Sequence, residues 1–154
     1  MPVVGLISDT HGLLRDEALR ALEGCDLIIH AGDVGKPEIL EALKALAPLI
    51  AVRGNVDKGA WASALPVTAV AQGGRAAIYV LHDVHELDLD PTAAGFQIVV
   101  SGHSHQPVRR EQSGVLFLNP GSAGPRRFKL PVTVARLELG KTPWVVEFIH
   151  LETG

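Results

Sequence analysis

Apolar residues in this chain gather in short runs that stop abruptly at glycine, acid, asparagine or histidine. Residues 3–7 are continuously apolar and lead into Ser8-Asp9-Thr10-His11-Gly12. Leu27-Ile28-Ile29-His30 ends at Ala31-Gly32-Asp33, and residues 49–52 end at Arg53-Gly54-Asn55. Unbroken runs of this length predict strands covered on both faces. Between them the period changes. Leu14, Ala18, Leu19 and Leu22 recur at helical spacing within 13–22, with Gly24 as a stop. Pro37 opens a second helix with Ile39, Leu40, Leu43 and Leu46 on one face and Glu38, Glu41 and Lys44 off it, closed by Pro48. Such a β-α-β-α-β order implies parallel strands joined by right-handed crossovers. Ligands in these sheets bind beyond the carboxyl ends of the strands, where Asp9, Asp33 and Asn55 fall.

The second half reads differently. Residues 67–72 and 75–81 form two strand-like runs about the turn Gly73-Gly74, and His82-Asp83 follows them. Residues 91–95 suggest one helical turn. Residues 97–100 predict a buried strand ending at Ser101-Gly102-His103-Ser104-His105, and residues 115–118 run into Asn119-Pro120-Gly121-Ser122. In 132–139, Val132, Val134, Arg136 and Glu138 alternate with Thr133, Ala135, Leu137 and Leu139. Gly140-Lys141-Thr142-Pro143 then turns into a last run, 144–151, predicting an antiparallel pair. No linker, low-complexity tract or repeat interrupts the chain, so the expectation is one domain over residues 1–154. The packing that buries all of these elements is a four-layer α/β sandwich: two mixed sheets flanked by helices, with a thin layer over the second sheet.

Composition narrows the class. With 154 residues, 47% hydrophobic and 20% charged, the chain can bury a real core. A net charge of -3 is not the basic footprint of a general nucleic-acid binder. A small phosphorylated substrate fits if bound cations supply local positive charge. The single cysteine, Cys25, excludes an internal disulfide and has no activating neighbour, which suits a reducing compartment and a structural thiol. The first apolar run is too short for a signal peptide or a membrane span, so a cytoplasmic protein is expected.

Five clusters of ligand-type side chains stand at strand ends: Asp9 with His11, Asp33, Asn55, His82, and His103 with His105. These oxygen and nitrogen donors suit Mn²⁺, Fe²⁺, Zn²⁺ or Ni²⁺, whereas Mg²⁺ or Ca²⁺ sites are nearly all oxygen. A thiolate zinc site is excluded. Seven donor residues exceed the need of one ion, and two ions about 3.5–4 Å apart would require a shared carboxylate.

In this order, Asp9-x-His11, Gly32-Asp33, Gly54-Asn55, His82 and Gly102-His103-x-His105 resemble the motif series of the calcineurin-like metallophosphoesterases. The length and Asn119-Pro120-Gly121-Ser122 resemble their small single-domain, YfcE-like phosphodiesterase branch. The resemblance spans residues 3–126. It implies a first metal held by Asp9, His11, Asp33 and His105, and a second held by Asp33, Asn55, His82 and His103, with Asp33 bridging. The implied activity is hydrolysis of a phosphate ester by in-line attack of a metal-bridging hydroxide. Catalysis would rest on Asn55, Asp33 and His82, with two divalent ions, Mn²⁺ first and Ni²⁺, Zn²⁺, Fe²⁺ or Mg²⁺ as alternatives. The substrate would be a small phosphate ester. A diester is preferred, a monoester is the alternative, and the partner expected besides substrate is a second copy of the chain, in a dimer or tetramer. A non-catalytic binding scaffold is the rival reading, because a retromer subunit shares the fold while its ligand set is degraded.

Two positions depart from that pattern. Many members follow the asparagine with a leaving-group histidine, but here Val56 and Asp57 follow Asn55. Where the branch often has His-Gly-His, this chain has His82-Asp83-Val84, with His85 off by one position. Asp57 and Asp83 read either as partners of ligating histidines or as loop acids facing solvent. Arg126-Arg127 reads either as a phosphate clamp or as a solvated turn. His30, His85 and His150 read as structural or exposed, Trp61 and Trp144 as packing residues, and Asn119-Pro-Gly-Ser122 as backbone shaping.

Overall fold

In the computed structural model, which describes residues 2–127 and 129–152, the elements follow the order the apolar runs predict. The strands are β1 Val3–Ile7, β2 Leu27–His30, β3 Leu49–Ala51, β4 Thr68–Gly73, β5 Ala76–Leu81, β6 Ile98–Val100, β7 Pro107–Gln112, β8 Val115–Pro120, β9 Thr133–Glu138 and β10 Val145–His150. The α-helices are α1 Asp16–Ala21, α2 Pro37–Lys44, α3 Ala60–Ser63 and α4 Pro91–Ala94, with a 3₁₀ turn at Val84–Glu86.

One sheet runs β10-β9-β1-β2-β3 and the other β4-β5-β6-β8-β7. Both are mixed. The pairs β1–β2, β2–β3, β5–β6 and β6–β8 are parallel, whereas β9–β10, β1–β9, β4–β5 and β7–β8 are antiparallel. Strand alternation divides the side chains among layers. Val4, Leu6 and Ile29 of the first sheet meet Ile78, Val80, Ile98, Val100, Leu116 and Leu118 of the second in the central core. Ile7, Ile28 and Val134 face outward onto Ile39, Leu40 and Leu43 of α2 and Ala18 of α1. On the far side of the second sheet, Tyr79, Leu81, Val99 and Val115 pack against Leu87, Leu89, Phe96 and Phe117, mostly loop residues. The chain is therefore a four-helix, two-sheet α/β sandwich, and its outer fourth layer is thin as expected.

Three details differ from the sequence expectation. The first helix starts at Asp16, not at residue 13, because the preceding loop is tied down: His11 and Gly12 N–H donate to the Asp33 and Val34 carbonyls. The β7 strand was not expected. Its sequence, PVRREQ, is an edge strand with five exposed residues, so it carries no apolar run. The short helix α3 also lacks a sequence signal of its own.

Candidate metal centre

The parallel strands β1, β2, β5 and β6 all end at one edge of the sandwich, and the loops leaving them converge. Two donor groups form there, Asp9–His11–His105 and Asp33–His82–His103, each with its ligand atoms within 4.8 Å of one another. Asp33 lies between the groups. Its Oδ2 is 3.1 Å from His82 Nε2 and 3.6 Å from His11 Nε2. Asn55 Oδ1 is 3.0 Å from His82 Nε2. All seven side chains singled out in the sequence thus meet in one place.

The backbone bends sharply to bring them there. Asp9, His11, Asp33, His103 and His105 all have positive φ, between 47° and 71°, and among the described residues Ser113 is the one other non-glycine with that geometry. An L-residue in this region is strained by contact between Cβ and its own backbone. Concentrating that strain on these five donors is what a functional centre requires, and core packing alone would not call for it. Glycines make the approach feasible. A Cβ on Gly54 would run into Asp33, and a Cβ on Gly102 would run into Ser8 Oγ and Asp9 Oδ2.

Each carboxylate is anchored by one oxygen and offers the other. Asp9 Oδ2 accepts from Ser8 Oγ at 2.6 Å and from the His103 N–H at 3.1 Å. Its Oδ1 is buried without a hydrogen-bond partner, 3.3 Å from His105 Nε2 and 3.6 Å from His11 Nε2. Asp33 Oδ1 accepts from the Val56 N–H at 3.0 Å, leaving Oδ2 toward the histidines. Burial alone would raise the Asp9 carboxyl, but the His105 and His11 imidazoles beside it, the Ser8 hydroxyl and the charge on His82 outweigh it and hold the group far below the usual range. Asp33 is likewise lowered against its burial, by His82 and the Val56 N–H. Burial works against protonation of His82 too, yet Asp33, Asp9 and the Ala31 carbonyl raise it to about 9.

The imidazoles converge in pairs. His11 Nε2 faces His105 Nε2 at 3.3 Å, and His103 Nδ1 faces His82 Nε2 at 3.3 Å. His82 donates Nδ1–H to the Ala31 carbonyl at 2.7 Å, which orients Nε2 inward as metal-ligating histidines require. A buried carboxylate oxygen with no partner, among converging ring nitrogens, is the environment a cation completes. The donor set therefore fits two divalent ions.

The remaining candidates separate clearly. Asp57 is buried but partners no histidine. It accepts the N–H groups of Val34, Gly35 and Gly54, fastening the Asp33 loop to the Asn55 loop, which corrects both readings made of it. Asp83 is one-fifth exposed and lies 3.8 Å from His103 Nε2, while it accepts the His85 N–H. His85 and His150 are exposed. His30 is fully buried and structural. Arg126 and Arg127 are exposed and line neither cavity beside the donors. Asn119 shapes the loop as expected: Nδ2 donates to the Gly102 carbonyl and Ser104 Oγ, and Oδ1 accepts the Gly121 N–H. Arg53 was missed. It lines a cavity of about 490 Å³ with Asn55, Tyr79, His82 and His103, and its place just before Gly54-Asn55 was the available signal.

The family model for the calcineurin-like phosphoesterase superfamily domain matches residues 3–142. The chain belongs to this superfamily. It is 32% identical to a probable metallophosphoesterase of Methanothermobacter thermautotrophicus over 149 residues, covering 88% of this chain and 86% of the relative. Solved structures with the same fold include Vacuolar Protein Sorting 29 from Cryptosporidium parvum (TM-score 0.83, 23% identity, 99% of this chain and 93% of that one). An archaeal phosphodiesterase superposes with TM-score 0.79 at 22% identity, over 96% of this chain and 99% of that one. Two candidate metal-binding triads in this fold support a metal-dependent phosphoesterase. No described helix is long and apolar enough to cross a membrane.

Proposed function

We propose that the chain is a dinuclear metal-dependent phosphodiesterase acting on a small phosphate ester. The observation that carries this reading is Asp9 Oδ1, buried and unpartnered among imidazole nitrogens. Asp9, His11, Asp33 and His105 would hold one ion and Asp33, Asn55, His82 and His103 the other, with Asp33 shared. When bound, such ions neutralise phosphoryl charge and lower the pKa of a coordinated water.

The chain's own groups set the rest. Ser8 and the His103 N–H fix Asp9, the Val56 N–H fixes Asp33, and Asp57 clamps the loops carrying Asp33 and Asn55. Arg53, on the wall of the adjoining cavity, supplies the cationic side chain nearest in sequence to Asn55. Val56 supplies no proton to a leaving group, which favours esters whose alcohols leave readily. The archaeal phosphodiesterase of the same fold supports diesters over monoesters. The mixed oxygen and nitrogen donors suit Mn²⁺, Fe²⁺, Zn²⁺ or Ni²⁺, and Mn²⁺ is the first to be tried. The buried free Cys25 supports a cytoplasmic setting, and exposed Val67 and Val70 at the β4 edge support a homo-oligomer.

The test is hydrolysis of bis-p-nitrophenyl phosphate and p-nitrophenyl phosphate by stripped protein reloaded with Mn²⁺, Ni²⁺, Zn²⁺ or Mg²⁺, with Asp33→Ala as control. Metal-restored turnover, faster on the diester and lost in the variant, is expected. Absence of turnover with every metal, in folded and metal-loaded protein, would reject the enzyme reading.

A further inference from the structure

His103 is a partition between two cavities. Its side chain is 46% exposed, and it lines both the 490 Å³ cavity on the Asn55 side and a second of about 380 Å³ on the β7–β8 side. Asp83 borders both as well. A monoester presents one organic arm to a phosphoryl site, whereas a diester presents two. Two cavities meeting at one donor histidine provide for both arms.

The second cavity has a specific chemistry. Arg110 and Phe117 are direct cross-strand partners in the β7–β8 register, and the Arg110 guanidinium lies 4.8 Å from the Phe117 ring centroid. Val108 precedes Arg110 by two residues, so it shares that face of β7, and it is 36% exposed. Leu118 and Asn119 continue the wall. Asn119 is already committed to the Gly102–Ser104 loop, so its amide protons are spent on the protein. Alongside Asp83, His85, His103, Ser104 and Gln106, this cavity offers a ligand a flat cation laid on an aromatic ring beside aliphatic surface. That surface suits a planar ring, which stacks on guanidinium and packs against valine. The first cavity sets Asp83, Glu86 and Asp88 against Arg53, an acidic balance that disfavours a second anionic group.

We infer that the β7–β8 cavity is an aromatic subsite, so that the substrate is a phosphodiester with one planar heteroaromatic arm, such as a nucleobase, seated against Arg110 and Phe117. This rests on the phosphoesterase reading for the word substrate, but the subsite itself is read by binding.

The experiment is calorimetric titration of metal-loaded protein with adenosine 5′-monophosphate and with ribose 5-phosphate, which lacks only the base. The nucleotide binds about 5- to 150-fold more tightly, the range of one base stack. That ratio falls to near one in Arg110→Ala and in Val108→Trp, which fills the cavity from the β7 side. It persists in Arg109→Ala, on the opposite face of β7. Equal affinity for the two ligands in the unaltered protein, failure of both to bind, or a ratio that survives both substitutions overturns the subsite. Failure of the enzyme reading looks different: methyl p-nitrophenyl phosphate is not hydrolysed with any metal, while base-dependent binding persists and the subsite stands.

Discussion

His82 Nε2 lies 3.1 Å from Asp33 Oδ2, and this contact makes the metal-free centre a proton-binding site. With its pKa raised to about 9, His82 is protonated at neutral pH in the metal-free protein. A proton bound more tightly in the folded chain stabilises the fold. That contribution is complete below the unfolded value near 6.5 and is lost as pH rises through about 9. Metal binding has the opposite dependence, since Nε2 must shed its proton to ligate. In EDTA, thermal stability should therefore fall between pH 6.5 and 9, while the stabilisation conferred by Zn²⁺ should grow over the same window. Parallel melting curves with and without metal check both slopes, and His82→Gln should flatten the EDTA slope.

A second histidine carries the acid side. His30 accepts the Gly32 N–H at Nδ1 (3.1 Å). Thr10 Oγ1 spends its proton on the Val34 carbonyl, so His30 Nε2 must donate to Thr10 Oγ1 (3.0 Å). The ring is therefore held as the neutral Nε2–H tautomer, and complete burial pushes its pKa down to about 4. As pH falls from 6.5 toward 4 the unfolded chain takes up a proton that the folded chain refuses. Stability should drop by up to about 3 kcal/mol across that window. Denaturant titrations at pH 7 and pH 4.5 measure it, and His30→Asn should lose most of the difference.

Asp57 accepts three backbone N–H groups at 2.9–3.1 Å. Asp57→Ala leaves them without their acceptor in a largely buried place, at a cost of about 3 kcal/mol. Because those groups belong to the Asp33 and Asn55 loops, metal affinity should weaken as well, by about 10- to 100-fold. Unfolding titrations and metal-binding isotherms read the two effects separately.

Gly102→Ala places a methyl group against Ser8 and Asp9. Overpacking of this kind costs about 1–3 kcal/mol. The displaced carboxylate should also lower occupancy at the Asp9–His11–His105 group more than at the other. Metal analysis after dialysis would detect a loss approaching one ion per chain.

Much of this was legible because the strands that carry the donors are buried on both faces. Residues 3–7, 27–30 and 98–100 read as unbroken apolar runs, and each hands the chain directly to a donor loop. The donors were legible as residue types. Their left-handed backbone was not, since Asp9 and Asp33 look the same in sequence whatever φ they adopt. What escaped lay at edges and in loops. The β7 strand shows solvent-facing charge and no period, so the Arg110–Phe117 pair it creates across to β8 was invisible. Asp57 was read only as a partner for histidine or for water, because nothing in sequence shows that three amides from two loops converge on it.

The central claim is that two metal ions occupy one centre, one in each donor group. The most direct measurement is anomalous scattering from crystals grown with Mn²⁺, collected above and below the manganese edge. Two peaks per chain are predicted, one within Asp9–His11–His105 and one within Asp33–His82–His103, with Asp33 between them. A map with no peak at either group, from crystals whose protein retains this fold at saturating metal, would contradict the account.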